Sequence, residues 1–243
     1  MQMFPSSRLL WLLVPAFLTT CQTIPVTKTS VYLLYDVTEI DFIRQRARFV
    51  QEAPERLAAL GVDTAGVEPA AVEVSIGLVN DLAQTRMRSA RLPAGPANRW
   101  DDNPLVRRDA ATQFRNTLAI QIDQLLSTAD STTAQSKIYQ RLCRELHRLA
   151  ADSADAKALV LYSDLLENSA LFSFYTDDPK NTGIDRFEQD VLAGECLLPD
   201  LTGIRIHLVV LRNPEQDDRI EAAAQFWERL LRKKHADVQV YAF

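Results

Sequence analysis

Apolar and polar positions along the chain fall into alternating blocks of two kinds. Ser30-Val31-Tyr32-Leu33-Leu34-Tyr35 is a continuous apolar run, the pattern of a strand buried on both faces of a parallel sheet, and it stops at Asp36. Between Asp41 and about Leu60, the positions Phe42, Ile43, Ala47, Phe49, Val50, Leu57 and Leu60 recur at helical spacing. They predict a helix broken near Pro54 and ended by Gly61. Val72, Val74, Ile76 and Leu78 alternate, which marks a second strand over 72–79. Residues 80–103 carry no clear period, and with Pro93 and Pro96 they read as a long surface connection with room for one edge strand. Leu105, Ala110, Phe114, Leu118, Ile122 and Leu125 predict a helix over 104–127, with Pro104 in its first turn. Ile138, Leu142, Leu146 and Leu149 predict another over 136–151. A second fully apolar strand spans 157–162 and closes at Ser163-Asp164. A strand over 204–211, a helix carrying Ile220, Phe226, Trp227 and Leu230, and a last strand over 238–243 complete the chain. Strands separated by helices imply right-handed crossovers, and so an α/β fold: a three-layer sandwich around a doubly wound, mainly parallel sheet, Rossmann-like in outline.

The first residues follow another rule. Residues 1–20 carry one charge, Arg8, ahead of an apolar core from Leu9 to Leu18. That core is too short for a bilayer-spanning helix, which takes about 20 apolar residues, and fits the h-region of a signal peptide. Leu18-Thr19-Thr20-Cys21 then resembles a bacterial lipobox, in which the cysteine becomes the lipidated first residue; Thr20 stands where a smaller residue is usual. The expected organisation is a signal peptide (1–20), a short tether (21–29) with a lipidated Cys21, and one α/β domain (30–243). The expected place is the bacterial cell envelope, membrane-anchored through Cys21, with a periplasmic or secreted protein as the alternative. Cys143 and Cys196 read as buried small hydrophobes, although an oxidising compartment permits a disulfide between them.

Composition narrows the function. The chain has 243 residues, 47% hydrophobic and 24% charged, so disorder and a disulfide-dense miniature fold are both excluded. Its 27 Lys and Arg against 32 Asp and Glu leave a formal charge of −5, which argues against nucleic acid as a partner. With 7 glycines in the whole chain, no phosphate-cradling loop is found, nor any Gly-x-Ser-x-Gly or His-Glu-x-x-His motif. His147, His207 and His235 stand apart, without a nucleophile motif, and His207 inside an apolar strand reads as a core residue.

In doubly wound sheets, ligands sit beyond the carboxyl ends of the strands, which makes Asp36 and Asp164 the candidate positions. Asp36-Val37-Thr38, closing an apolar strand, resembles the Asp-x-Ser-x-Ser motif of the von Willebrand factor A-type domain. Ser163-Asp164 resembles that family's later strand end, and Ser136 its middle-loop Thr, in matching element order over about residues 30–243. The resemblance implies a metal-ion-dependent adhesion site in which Asp36, Thr38, Ser136 and Asp164 hold Mg²⁺, with one coordination position open to a partner's carboxylate. Three positions depart from the pattern. Ile40 replaces the second hydroxyl, Leu165 replaces a glycine, and Ser136 replaces Thr with Thr132 and Thr133 nearby. The expected site is therefore reduced, with Glu39 or Asp41 available to compensate, or else a degenerate site on the same fold.

Around Asp164, the residues Ser163, Glu167, Asn168, Phe172, Phe174 and Tyr175 form a candidate partner-binding rim, since aromatic residues concentrate at interface hot spots. The inward packing of Phe172 and Phe174 is the alternative. The basic run Arg229 to His235 ends a helix and reads as a solvated face complementing the helix dipole. The function expected is that of a non-enzymatic envelope lipoprotein binding another protein. One enzymatic alternative rests on Asp36, whose strand-end position also resembles the nucleophile of haloacid dehalogenase-like phosphatases.

Overall fold

The apolar runs become the strands of one six-stranded sheet in the computed structural model, which describes residues 27–38, 45–79, 87–95, 103–128, 135–181, 183–191 and 196–243. The strands are β1 (Lys28–Asp36), β2 (Ala71–Val79), β3 (Arg88–Leu92), β4 (Ala156–Ser163), β5 (Ile204–Val210) and β6 (Asp237–Ala242). Their spatial order is β3-β2-β1-β4-β5-β6, and every neighbouring pair is parallel except β2 with β3. The region without a period thus contributes an antiparallel edge strand.

The helices are α1 (Arg46–Ala59), α2 (Pro104–Ser127), α3 (Ile138–Ala151), the single turn α4 (Ile184–Arg186) leading into a π turn (Phe187–Val191), and α5 (Asp217–Lys233). Phe49 and Leu57 of α1 and Phe114, Leu118 and Ile122 of α2 pack with Val31, Leu33, Val74 and Val160 of the sheet. Leu142 and Leu146 of α3 and Phe226 and Trp227 of α5 pack with Leu34, Leu159, Leu161, Ile206 and Leu208. Successive strand residues feed opposite cores, so the continuous apolar runs are accounted for by burial on both faces.

Two expectations are corrected. The first helix is not broken at Pro54, which lies inside α1. Phe49, Ala53 and Leu57 make one buried stripe spanning the proline, and their burial outweighs the hydrogen bond that Pro54 removes. Gly61 ends the helix as expected, with φ +72°. Cys143 and Cys196 are not free thiols: they form a disulfide with a Cα–Cα distance of 6.2 Å. The signal peptide, Cys21, Glu39, Ile40, Asp41, Thr132 and Thr133 lie outside the described residues.

The strand order positions the site. From β1 the chain moves outward to β2 and β3, then returns to place β4 on the other side of β1. Successive connections therefore leave in opposite directions at β1 and β4, and a crevice opens between their carboxyl ends. The last paired residues there are Tyr35 and Tyr162, so the next along each strand are Asp36 and Ser163.

Candidate functional site

Asp36 is the centre of a buried cluster of hydroxyls. Its residue is 3% exposed, and its carboxylate accepts four hydrogen bonds. Thr38 donates to Oδ1 from its backbone N–H at 3.3 Å and its hydroxyl at 2.8 Å. Ser136 and Ser163 donate hydroxyls to Oδ2 at 2.8 and 2.7 Å. Three separate segments supply these donors: the turn after β1, the short stretch ahead of α3, and the end of β4. Burial lifts the Asp36 carboxyl above its ordinary value, and the hydroxyls of Ser163, Ser136 and Thr38 oppose that shift by solvating its charged form.

Asp164 lies beside the cluster. Its Oδ1 accepts the Leu166 N–H at 2.9 Å and lies 3.5 Å from the Ser163 hydroxyl, which also faces Asp36. The structure therefore gathers Asp36, Thr38, Ser136 and Ser163 in direct contact, with Asp164 joined to them through Ser163. Leu165, where the A-type pattern has glycine, adopts a left-handed backbone with φ +65°. That conformation is costly for a residue with a Cβ. It is held by the Leu165 N–H donating to Ser163 Oγ at 2.8 Å and by the buried Trp227 indole N–H donating to the Leu165 carbonyl at 2.9 Å.

The rim expected after Asp164 divides in two. Ser163, Glu167 and Phe174 are buried and cannot present a surface to a partner, which corrects the expectation for those three. Ser163 serves Asp36. Phe174 and the partly buried Phe172 turn inward onto Phe187, Phe226 and Trp227 with ring centroids 4.7–6.3 Å apart, so the inward-packing alternative describes them. Asn168 is half-buried and Tyr175 is 39% exposed, leaving these two at the edge of the site. Asn168 ties the rim to the cluster, because its N–H donates to the Ser136 carbonyl at 2.9 Å and its Oδ1 accepts from Ser173 at 3.0 Å.

Glu167 has a different role, with no exposed surface at all. The residue ahead of α3, Lys137, supplies no side-chain cap, and Glu167 Oε2 instead accepts the Tyr139 N–H at 2.7 Å. It is a helix cap delivered from another part of the chain, meeting the unsatisfied donors that every helix start carries. Burial, with a contribution from the negative charge of Asp36, pushes the Glu167 carboxyl up to about 8, against the hydrogen bonds of Ser169 and Tyr139. Sequence reading missed both this cap and Ser163 as a partner of Asp36. The only local signal for Ser163 is its place beside Asp164 at a strand end, and no local signal marks Glu167.

The donor set suits a hard cation in kind, since Asp36, Thr38, Ser136, Ser163 and Asp164 offer only oxygen. Each hydroxyl commits its proton to a carboxylate, and its oxygen remains an acceptor, which in Ser163 already takes the Leu165 N–H.

No protein-family model matches the chain, and no curated protein matches it in sequence. Among solved structures, a human COPII-coat protein is similar at 16% identity and a TM-score of 0.41 over 89% of this chain; the chain spans only 30% of its length. An aerotolerance-related membrane protein from Bacteroides fragilis is similar at 10% identity and a TM-score of 0.38, over 88% of this chain and 90% of that one. Proximal thread matrix protein 1 from the mussel byssus, in a form with a zinc-occupied metal-ion-dependent adhesion motif, is similar at 9% identity and a TM-score of 0.37, over 85% of this chain and 47% of that one. The fold is thus a doubly wound α/β sheet with one antiparallel edge strand among the described residues, and a hydroxyl cluster assembled on Asp36 where the strand order reverses, the architecture that the resemblance to von Willebrand factor A-type domains implies.

Proposed function

We propose that the chain is a non-enzymatic, envelope-associated binding module that engages another protein through the carboxyl edge of its sheet. The observation that carries this reading is the convergence of Thr38, Ser136 and Ser163 on the one carboxylate of Asp36. In the proposed site Asp36, Thr38, Ser136 and Asp164 hold Mg²⁺, Asp36 through water because the hydroxyls take up its oxygens, with Ser163 bridging the two acids. A bound Mg²⁺ would supply a coordination position for a carboxylate of the partner. Asn168 and Tyr175 then provide the polar and aromatic contacts at the edge.

A phosphatase nucleophile is the less favoured reading. A nucleophilic carboxylate must reach its substrate, whereas both oxygens of Asp36 are occupied by donors within the fold. None of its described hydrogen-bond partners is a cation that would hold a phosphate. For the envelope placement, the support is the leader-like sequence and Cys21. No helix among the described residues is long and apolar enough to cross a membrane, so in this reading acyl chains on Cys21 provide the anchor.

Calorimetric titration of the mature chain with Mg²⁺ and Mn²⁺ tests the site. Saturable binding that disappears in folded Asp36→Ala and Asp164→Ala variants is expected. No heat of binding at millimolar metal would remove the cation from the proposal and leave the Asn168 and Tyr175 edge to be tested by cross-linking in envelope extracts. Phosphate-ester hydrolysis lost on Asp36→Asn would overturn the non-enzymatic reading.

A further inference from the structure

A second cluster lies on one face of α3 and uses none of the Asp36 hydroxyls. Tyr139, Cys143 and His147 follow one another at four-residue steps and so share one face of the helix. All three grip the same short segment. The Tyr139 hydroxyl donates to the Cys196 carbonyl at 2.7 Å, His147 Nε2 contacts the Leu197 carbonyl at 2.8 Å, and Cys143 is disulfide-bonded to Cys196. Two of these three attachments are hydrogen bonds, made by groups other than the two sulfurs. A carbonyl oxygen only accepts, so Nε2 carries the proton and the neutral ring keeps its lone pair on Nδ1. A ring nitrogen of His147 and the two sulfurs lie within 4.8 Å of one another.

We propose that Cys143, Cys196 and His147 form a redox-gated site for a thiophilic divalent cation, Zn²⁺ by chemistry: shut as the disulfide, open as the dithiol. A dithiol reductant of the thioredoxin class transfers two electrons and two protons, the Cys143–Cys196 bond breaks, and the reductant leaves as a disulfide. Zn²⁺ then displaces the two thiol protons and takes two thiolates and one imidazole, with water in the fourth position of a tetrahedron. Ligand bonds of about 2.0–2.3 Å are within reach of groups already this close. With Nε2 held by the Leu197 carbonyl, Nδ1 is the nitrogen left to ligate, and such an outer contact is the usual one that orients a metal-bound histidine. Reoxidation by a disulfide of higher potential closes the S–S bond and expels the ion. The two-sulfur, one-nitrogen set separates this site from the all-oxygen cluster at Asp36, and neither depends on the other.

The test uses the full chain, reduced with dithiothreitol, freed of reductant under anaerobic conditions, and titrated with Co²⁺ followed by Zn²⁺. One equivalent of Co²⁺ should bind, with thiolate charge-transfer and tetrahedral ligand-field bands that Zn²⁺ abolishes. The oxidised chain should give neither. His147→Ala should weaken binding by about ten- to a hundredfold or more and change the bands, whereas Asp36→Ala should leave them unchanged. The proposal is overturned by reduced protein that takes up no cobalt, by oxidised protein that gives the same spectrum, or by His147→Ala binding as tightly as the parent. Loss of the native circular dichroism on reduction also overturns it, because the dithiol state would then not be a folded one.

Discussion

Glu167 shows how much a single side chain's role depends on where its neighbours come from. As part of a polar stretch after Asp164 it reads as a surface acid, yet it is fully buried and caps α3 through the Tyr139 N–H. Its carboxyl, pushed up to about 8, holds a proton in the folded chain that the unfolded chain releases near its ordinary value. The folded state therefore binds more protons between about pH 4.5 and 8, and stability falls as pH rises through that window. Glu167→Gln keeps an oxygen for the Tyr139 N–H and removes the titration. We expect its stability, measured by urea unfolding at a series of pH values, to lose this slope, with the gain over the parent largest at pH 8. A parent chain equally stable at pH 5 and pH 8, with no difference on substitution, would contradict the assignment.

At the scale of elements, the turn after β4 is the most informative because it breaks a local rule. Leu165 holds a left-handed backbone that glycine would adopt without cost, and its side chain is fully buried beside α5. The strain of the turn is about 1–2 kcal/mol for a non-glycine residue, whereas removing a buried leucine side chain costs about 2–5 kcal/mol. Burial wins, so Leu165→Gly should destabilise the chain by about 1–3 kcal/mol even though it restores the A-type glycine. Thermal unfolding checks this, and a variant more stable than the parent would reverse the ranking of the two effects. Elements were mostly legible in sequence. The helix over 104–127 begins and ends as its apolar period indicates, with Asn103 capping it through the Leu105 N–H. The edge strand β3 was only faintly legible, since its five residues include two arginines and derive their order from pairing with β2.

For the whole molecule, the disulfide joins residues 53 apart, with the central strand β4 between them. Closing a loop of that length restricts the unfolded chain by an amount worth about 4 kcal/mol in the chain-entropy account, with measured values usually about 2–4 kcal/mol. Cys143→Ser with Cys196→Ser should therefore lower the urea midpoint while leaving the far-ultraviolet circular dichroism unchanged. An unmoved midpoint would mean that the unfolded chain without the bridge already keeps this segment close.

The elements and the fold class are legible in the chain alone, because periodicity and apolar runs record which faces must be buried. Strand ends, where ligands gather in such sheets, point to Asp36 and Asp164, and the resemblance to A-type domains implies Thr38 and Ser136 beside them. Their company is set by the fold. Ser136 and Ser163 reach Asp36 from 100 and 127 residues away, Glu167 is drawn inward to finish a helix, and Cys143 meets Cys196 across 53. Periodicity reports the burial that each residue needs and carries no information about which distant segment will satisfy it. That choice is made by the return of the chain from β3 to β4, which brings the two strand ends together.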